Sequence, residues 1–198
     1  MVLHRSDIIN RKRAFGLLRD PGMQERFDAG LLDVVRRAKF KMVCVVINKQ
    51  EHLNRYRSPF HPYHYCLAAM LDRYGGWLNY KNAVGDVMAE SRGKEEDLQL
   101  KEAYRRVYRS GTLMFGHEHH QRALTSQDIK IQPKVANIAG LQLADVLAHP
   151  VKQALLVEKG WIPESGDVFG KRVYEAAQRK FNLNEFRGQV EGYGKVFL

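Results

Sequence analysis

Residues 139–158, "AGLQLADVLAHPVKQALLVE", read as one long helix that is apolar on nearly every side. Leu141, Ala144, Val146 and Ala148 surround it with hardly a polar neighbour. Such a helix belongs in an interior, so the fold must be built around it. Yet Asp145 sits inside the run, one turn from Leu141 and one turn from His149. A buried carboxylate is costly unless a cation or a metal pairs with it. The sequence therefore asks what Asp145 pairs with.

The rest of the chain alternates. "HRSDIINRKRAFGLL" opens as a helix with Ser6 or Asp7 as its cap, and "DPG" at 20–22 breaks it. "MQERFDAGLLDVVRRAKF" places Phe27, Leu31, Val34, Val35 and Ala38 at helical spacing. "KMVCVVINK" reads as a buried strand. "HPYHYCLAAMLDRYGGWLNY" reads as an apolar helix with Pro62 in its first turn. "NAVGDVMAES" reads as a strand ending near Glu90, and "KEEDLQLKEAYRRVYRSG" as a charged helix closed by Gly111. "SQDIKIQPK" holds a short strand that Pro133 stops. "GDVFGKRVYEAAQRKF" is a last helix, and "GYGKVFL" a terminal strand or tail. Strands alternating with helices predict an α/β layer with helices packed on a thin sheet of three or four strands. A sheet that begins with a helix also places its first strands before Met1. With 198 residues and no internal repeat, a single domain over 1–198 is expected, able to bury a core without staples.

Cys44 and Cys66 are too few for a disulfide framework and read as buried free thiols in a reducing compartment. No apolar run reaches the ~18 residues of a membrane span, and the N-terminus lacks the apolar stretch of a secretory signal. A cytoplasmic protein without a membrane partner is the expectation.

The net charge is +10, which favours polyanions and nucleic acid first. In "AYRRVYRSG", Arg105, Arg106 and Arg109 alternate with Tyr104 and Tyr108. Arginines fork onto phosphates and tyrosines stack on bases, but the same run also makes an amphipathic helix with packed tyrosines. Glu90 lies where open α/β sheets gather their active sites. If it met Asp145, the two carboxylates would hold Mg²⁺ or Mn²⁺, and the ion could activate water for phosphoryl chemistry. Otherwise Glu90 caps the next helix and pairs with Arg92. Gln142 and His149 share a helix face with Asp145; His149 either orients water or a phosphate, or is an ordinary surface histidine. "FGHEHHQRA" and "SPFHPYHYC" are rich in histidine, but neither has zinc-ligand spacing, so loop histidines are expected.

Four pieces in order, "LHRSDI", "DVMAESRG", "GLQLADVLAHP" and "GYGKVF", resemble the domain-of-unknown-function 3800 family across residues 3–197. The resemblance implies a ribonuclease H-like mixed sheet flanked by helices. It also implies an N-terminal Asp-Glu-Ser strand, after which this chain is expected to begin. Glu90 and Asp145 would then be metal-holding members of a carboxylate cluster, with His4, Asp7, Arg92, Gln142 and His149 as companions. The activity implied is metal-dependent nucleic-acid cleavage, with Glu90, Gln142, Asp145 and His149 as the catalytic set. Arg92, Arg105, Arg106 and Arg109 would hold the nucleic acid, in a mobile-element or phage-defence setting. The alternative is a non-catalytic module of the same fold that binds nucleic acid or protein. A homodimer could cover a sheet edge left by absent strands.

Overall fold

The computed structural model describes residues 2–55, 61–164, 166 and 168–198. In chain order the elements are α1 (Arg5–Ile9), a 3-10 helix (Arg13–Arg19), α2 (Pro21–Arg37), β1 (Cys44–Val46), α3 (Lys49–Arg55), α4 (Pro62–Tyr80), β2 (Met88–Glu90), α5 (Lys94–Ser110), α6 (His117–Ala123), β3 (Lys130–Gln132), α7 (Ala139–Glu158), α8 (Phe169–Ala177) and β4 (Lys195–Phe197), with further 3-10 turns at Lys134–Ala136 and Gln178–Lys180. The chain divides into two compact units. Unit 1 joins Met1–Met42 to Lys134–Phe181, and unit 2 joins Val43–Pro133 to Asn182–Leu198.

Among the described residues, unit 1 contains helices and no named strand. Asp20 caps α2: its carboxylate accepts from the Met23 N–H at 2.8 Å, and Pro21 fills the first helical position. The "DPG" that breaks the first segment thus starts the next helix. α8 packs against both α2 and α7. Leu31, Leu32 and Val35 of α2 are buried, as are Val151 and Leu155 of α7 and Val173 and Ala177 of α8. Pro150 lies inside α7 and offers no N–H to the carbonyl four residues back.

Unit 2 holds all four strands. α4 packs against α5 and α6 around a core of Leu71, Leu78, Leu100, Tyr104, Val107, Ala123, Leu124 and Ile129. β1 pairs parallel with β4, Cys44 opposite Lys195; β2 pairs parallel with β3, Glu90 opposite Gln132. Gly111 closes α5 at φ +78°, and a Cβ there would collide with the Phe115–His117 backbone.

The mixed α/β character, the strands and the long helices stand where the sequence places them. Other expectations need correction. The four strands form two separate pairs rather than one thin sheet. β1 is mostly half-buried. The first predicted helix is a five-residue α1 followed by a 3-10 helix, and neither Ser6 nor Asp7 caps it; His4 is the N-cap residue, with no side-chain cap bond. "HEHHQRA" is a helix, α6, with His120 fully buried. Cys44 and Cys66 are free but half-buried, and burial pushes the Cys44 thiol up to about 11. Of the "SPFHPYHYC" stretch, residues 58–60 lie outside the described residues, as does Met1. Among the described residues no helix is long and apolar enough to cross a membrane.

Candidate functional site

Asp145 pairs with the chain's own N-terminal segment. Its carboxylate accepts from the Arg5 backbone N–H at 3.0 Å, and Lys134 Nζ stands 3.7 Å from the same oxygen. One turn earlier on α7, Gln142 Oε1 accepts from the Leu3 N–H at 2.6 Å, while its amide donates to Asn137 at 2.9 Å. Two side chains of α7 therefore hold residues 3–5 by alternate backbone N–H groups, much as a neighbouring strand would. The Asp145 side chain is 33% exposed, and Ala144 and Ala148 are exposed too, so α7 is not buried all round.

The companions are partly assembled. His4 Nδ1 lies 3.5 Å from Asp7, which also meets Arg13 at 3.4 Å. His149 is one turn beyond Asp145, with its Nε2 3.3 Å from the Gln153 amide. Burial, then the nearby Arg5 and Lys152 charges, hold the His149 ring below its ordinary value. His149 and Gln153 line a largely apolar cavity of about 790 Å³ within unit 1.

Glu90 belongs to unit 2, where it is the half-buried last residue of β2. Just past that strand end, Asp97 accepts from Ser91 Oγ at 2.5 Å and from the Arg92 N–H at 2.9 Å. These bonds hold the Asp97 carboxyl below its usual range. The N-cap of α5 is Gly93, not Glu90. Among the described residues no group of three His, Cys, Asp or Glu side chains converges to hold a metal. Both contacts of Asp145 fall on the same carboxylate oxygen, Oδ2.

The α5 arginines separate by environment. Arg105 is tied to Asp128 at 2.5 Å, whereas Arg106 and Arg109, like Arg92 ahead of the helix, are exposed. Tyr104 is 1% exposed and its hydroxyl donates to the Ser126 carbonyl at 2.8 Å; burial pushes that phenol up to about 12. Tyr108 packs against the core. The tyrosines are therefore packing residues, not stacking platforms.

A second exposed basic run lies in unit 1, where the sequence pattern does not single one out. Arg36 and Arg37 end α2, and Lys39 and Lys41 follow. The Met42 N–H donates to the Lys180 carbonyl at 2.8 Å, and Met42 bridges Phe181. Lys180 Nζ donates to the Ala38 carbonyl at 2.8 Å and sits 5.5 Å from the Phe40 ring centroid. Arg36, Arg37, Lys39, Lys41 and Arg179 are exposed, and Arg37 pairs with Asp33 at 2.8 Å. A helix C-terminus favours cations, which suits the local placement of Arg36 and Arg37. The runs "VVRRAKFKM" and "AAQRKF" carry the signal, each dense in bases, but nothing local announces that they meet.

No family model, no curated protein and no solved structure matches this chain.

Proposed function

We propose that this protein binds nucleic acid through the basic face of unit 1 and does not cleave it. The observation that carries this reading is the run of exposed Arg36, Arg37, Lys39 and Lys41 at the end of α2, against which Lys180 is bonded through the Ala38 carbonyl and the Met42 N–H. Unit 1 contains 17 Lys and Arg against 10 Asp and Glu, a net of +7. Guanidinium forks and ammonium charges on such a face engage phosphates and release counterions.

The test is fluorescence anisotropy with single- and double-stranded DNA and RNA over a salt series. Binding should weaken with salt, and the Arg36→Ala/Arg37→Ala/Lys39→Ala/Lys41→Ala variant should bind more weakly. Its duplex-DNA salt slope should flatten by about 0.9 for each phosphate that is no longer neutralised. Arg105→Ala/Arg106→Ala/Arg109→Ala should retain most of the affinity. If the α5 variant loses binding and the α2 variant keeps it, the assignment is wrong.

A second reading, a metal-dependent nuclease of ribonuclease H-like fold, has one specific observation in its favour. The "LHRSDI" and "GLQLAD" segments, which the resemblance joins in one site, are bonded to each other through Leu3–Gln142 and Arg5–Asp145. Cleavage in Mg²⁺ or Mn²⁺ that disappears in Asp145→Asn would favour this reading and displace the first.

A further inference from the structure

Helices α1, α7 and α8 of unit 1 line the cavity of about 790 Å³, within the roughly 300–1,000 Å³ range of small-ligand pockets. Ile8, Val146, Pro150, Val157, Phe169 and Val173 give it a mostly apolar wall. From Pro150 to Val157 the α7 side of that wall runs for about 10 Å at the helical rise. The cavity is therefore long enough for a chain of several methylenes.

Charge on this wall is sorted by burial. Three acids line it, Glu158, Glu164 and Glu175, and all three are exposed. Glu164 accepts from Lys171 Nζ at 2.7 Å. The half-buried polar side chains of the wall are Arg5, His149, Gln153 and Tyr174, and none of them carries negative charge near neutral pH. Asp145 holds the Arg5 backbone N–H, so the clasp on α7 fixes where Arg5 stands without using its guanidinium. Among the described residues that guanidinium has no ion-pair partner, and its charge is felt by the His149 ring. A half-buried charge is costly until it is paired, so the inner wall lacks one anion.

We propose that this cavity binds a medium-chain fatty acid, with its carboxylate on the Arg5 guanidinium and its alkyl chain along α7. A guanidinium fork matches a carboxylate with two parallel N–H donors. The alkyl chain takes apolar wall out of water. A second negative charge would meet the exposed acids, which restricts the ligand to a monocarboxylate. The proposal rests on the cavity alone and is independent of the basic face at the end of α2.

Octanoate, acetate and 1-octanol, titrated into the full chain, separate the head from the tail, with isotope-labelled isoleucine methyls read by NMR. Ile8 and Ile9 line the cavity, whereas Ile129 and Ile131 belong to unit 2 and serve as internal controls. Octanoate should shift the Ile8 and Ile9 methyls saturably and leave Ile129 and Ile131 unmoved. Acetate has the charge without the chain and should give no saturable shift at the same concentrations. The neutral 1-octanol should bind at least about tenfold more weakly than octanoate, for want of charge-assisted hydrogen bonds. Arg5→Met keeps an apolar stem and the backbone N–H that Asp145 holds. It should weaken octanoate by about tenfold and leave 1-octanol unchanged. Ala154→Phe, on the cavity wall, should fill the space and weaken both. Equal binding of octanoate and 1-octanol, an unchanged octanoate affinity in Arg5→Met, acetate matching octanoate, or no saturable shift would overturn the proposal.

Discussion

The two units place their polar groups in opposite ways. Unit 1 carries a net of +7, directed outwards, and Asp28 is its one buried polar residue among those described, at 9% exposure. Unit 2 has 15 Lys and Arg against 12 Asp and Glu, and it buries His52, Asp72, His120 and Asn182. The single figure of +10 is the sum of a strongly basic helical unit and a nearly balanced α/β one. Unit 1 keeps its charge outside a largely apolar core, whereas unit 2 draws polar groups inward.

The largest expected effect tests the dry core. Leu155 is 0% exposed on α7, and Leu155→Ala should cost about 2–5 kcal/mol by the usual transfer and cavity terms. Urea denaturation measures the loss, and hydrogen exchange should locate it in α7 and α8. A cost below about 1 kcal/mol would mean that the site collapses easily and that the core of unit 1 is not close-packed.

A middle-sized effect tests the polar interior of unit 2. Thr112→Val removes the hydroxyl that donates to the buried Asp72 carboxylate and should cost about 1.5–3 kcal/mol in the same assay. A neutral result would erase the contrast, because the buried acid would then not depend on its partner.

The smallest effect is a pH dependence. Burial is the first cause lowering the proton affinity of His64 and His119 in unit 2 and of His149 in unit 1. Below the ordinary value of about 6.5, the unfolded chain takes up protons that these folded rings resist. Their contribution to stability is therefore full above that value and is lost as pH falls through it. Denaturation at about pH 8 and about pH 5.5 should show the decline. His64→Gln/His119→Gln should flatten it more than His149→Gln, since two of the three rings lie in unit 2. The opposite order would break the comparison.

Local pattern explains what the sequence made legible. Helix 139–158 has its expected bounds, and β2 ends on Glu90, because long apolar runs and short strands between breakers act locally. The error at α7 came from alanine. Ala144 and Ala148 count as apolar in a pattern but offer little surface to bury, so both can face water at small cost. The seven residues of α6 carry three histidines and too little periodicity to mark a helix; the burial of His120 and Ala123 within unit 2 makes it one. The Asp145 partner was not legible: the resemblance made Asp145 a metal ligand with His4 and Asp7 as companions, whereas the bond it makes is to the Arg5 backbone N–H. The basic face was invisible because residues 36–41 and 179–180 lie about 140 positions apart and meet through the Met42–Phe181 bridge. The ribonuclease H-like architecture stays with the resemblance, since two short strand pairs do not define it.

The hold that α7 keeps on residues 3–5 divides mutational freedom unevenly. Both donors are peptide groups, so Leu3 and Arg5 can exchange their side chains for almost any others without losing either bond, proline excepted. Gln142 and Asp145 have no such liberty, because each supplies its acceptor from the side chain. In a deep mutational scan the opening residues would look permissive and their clasp on α7 strict, although all four take part in the same two bonds.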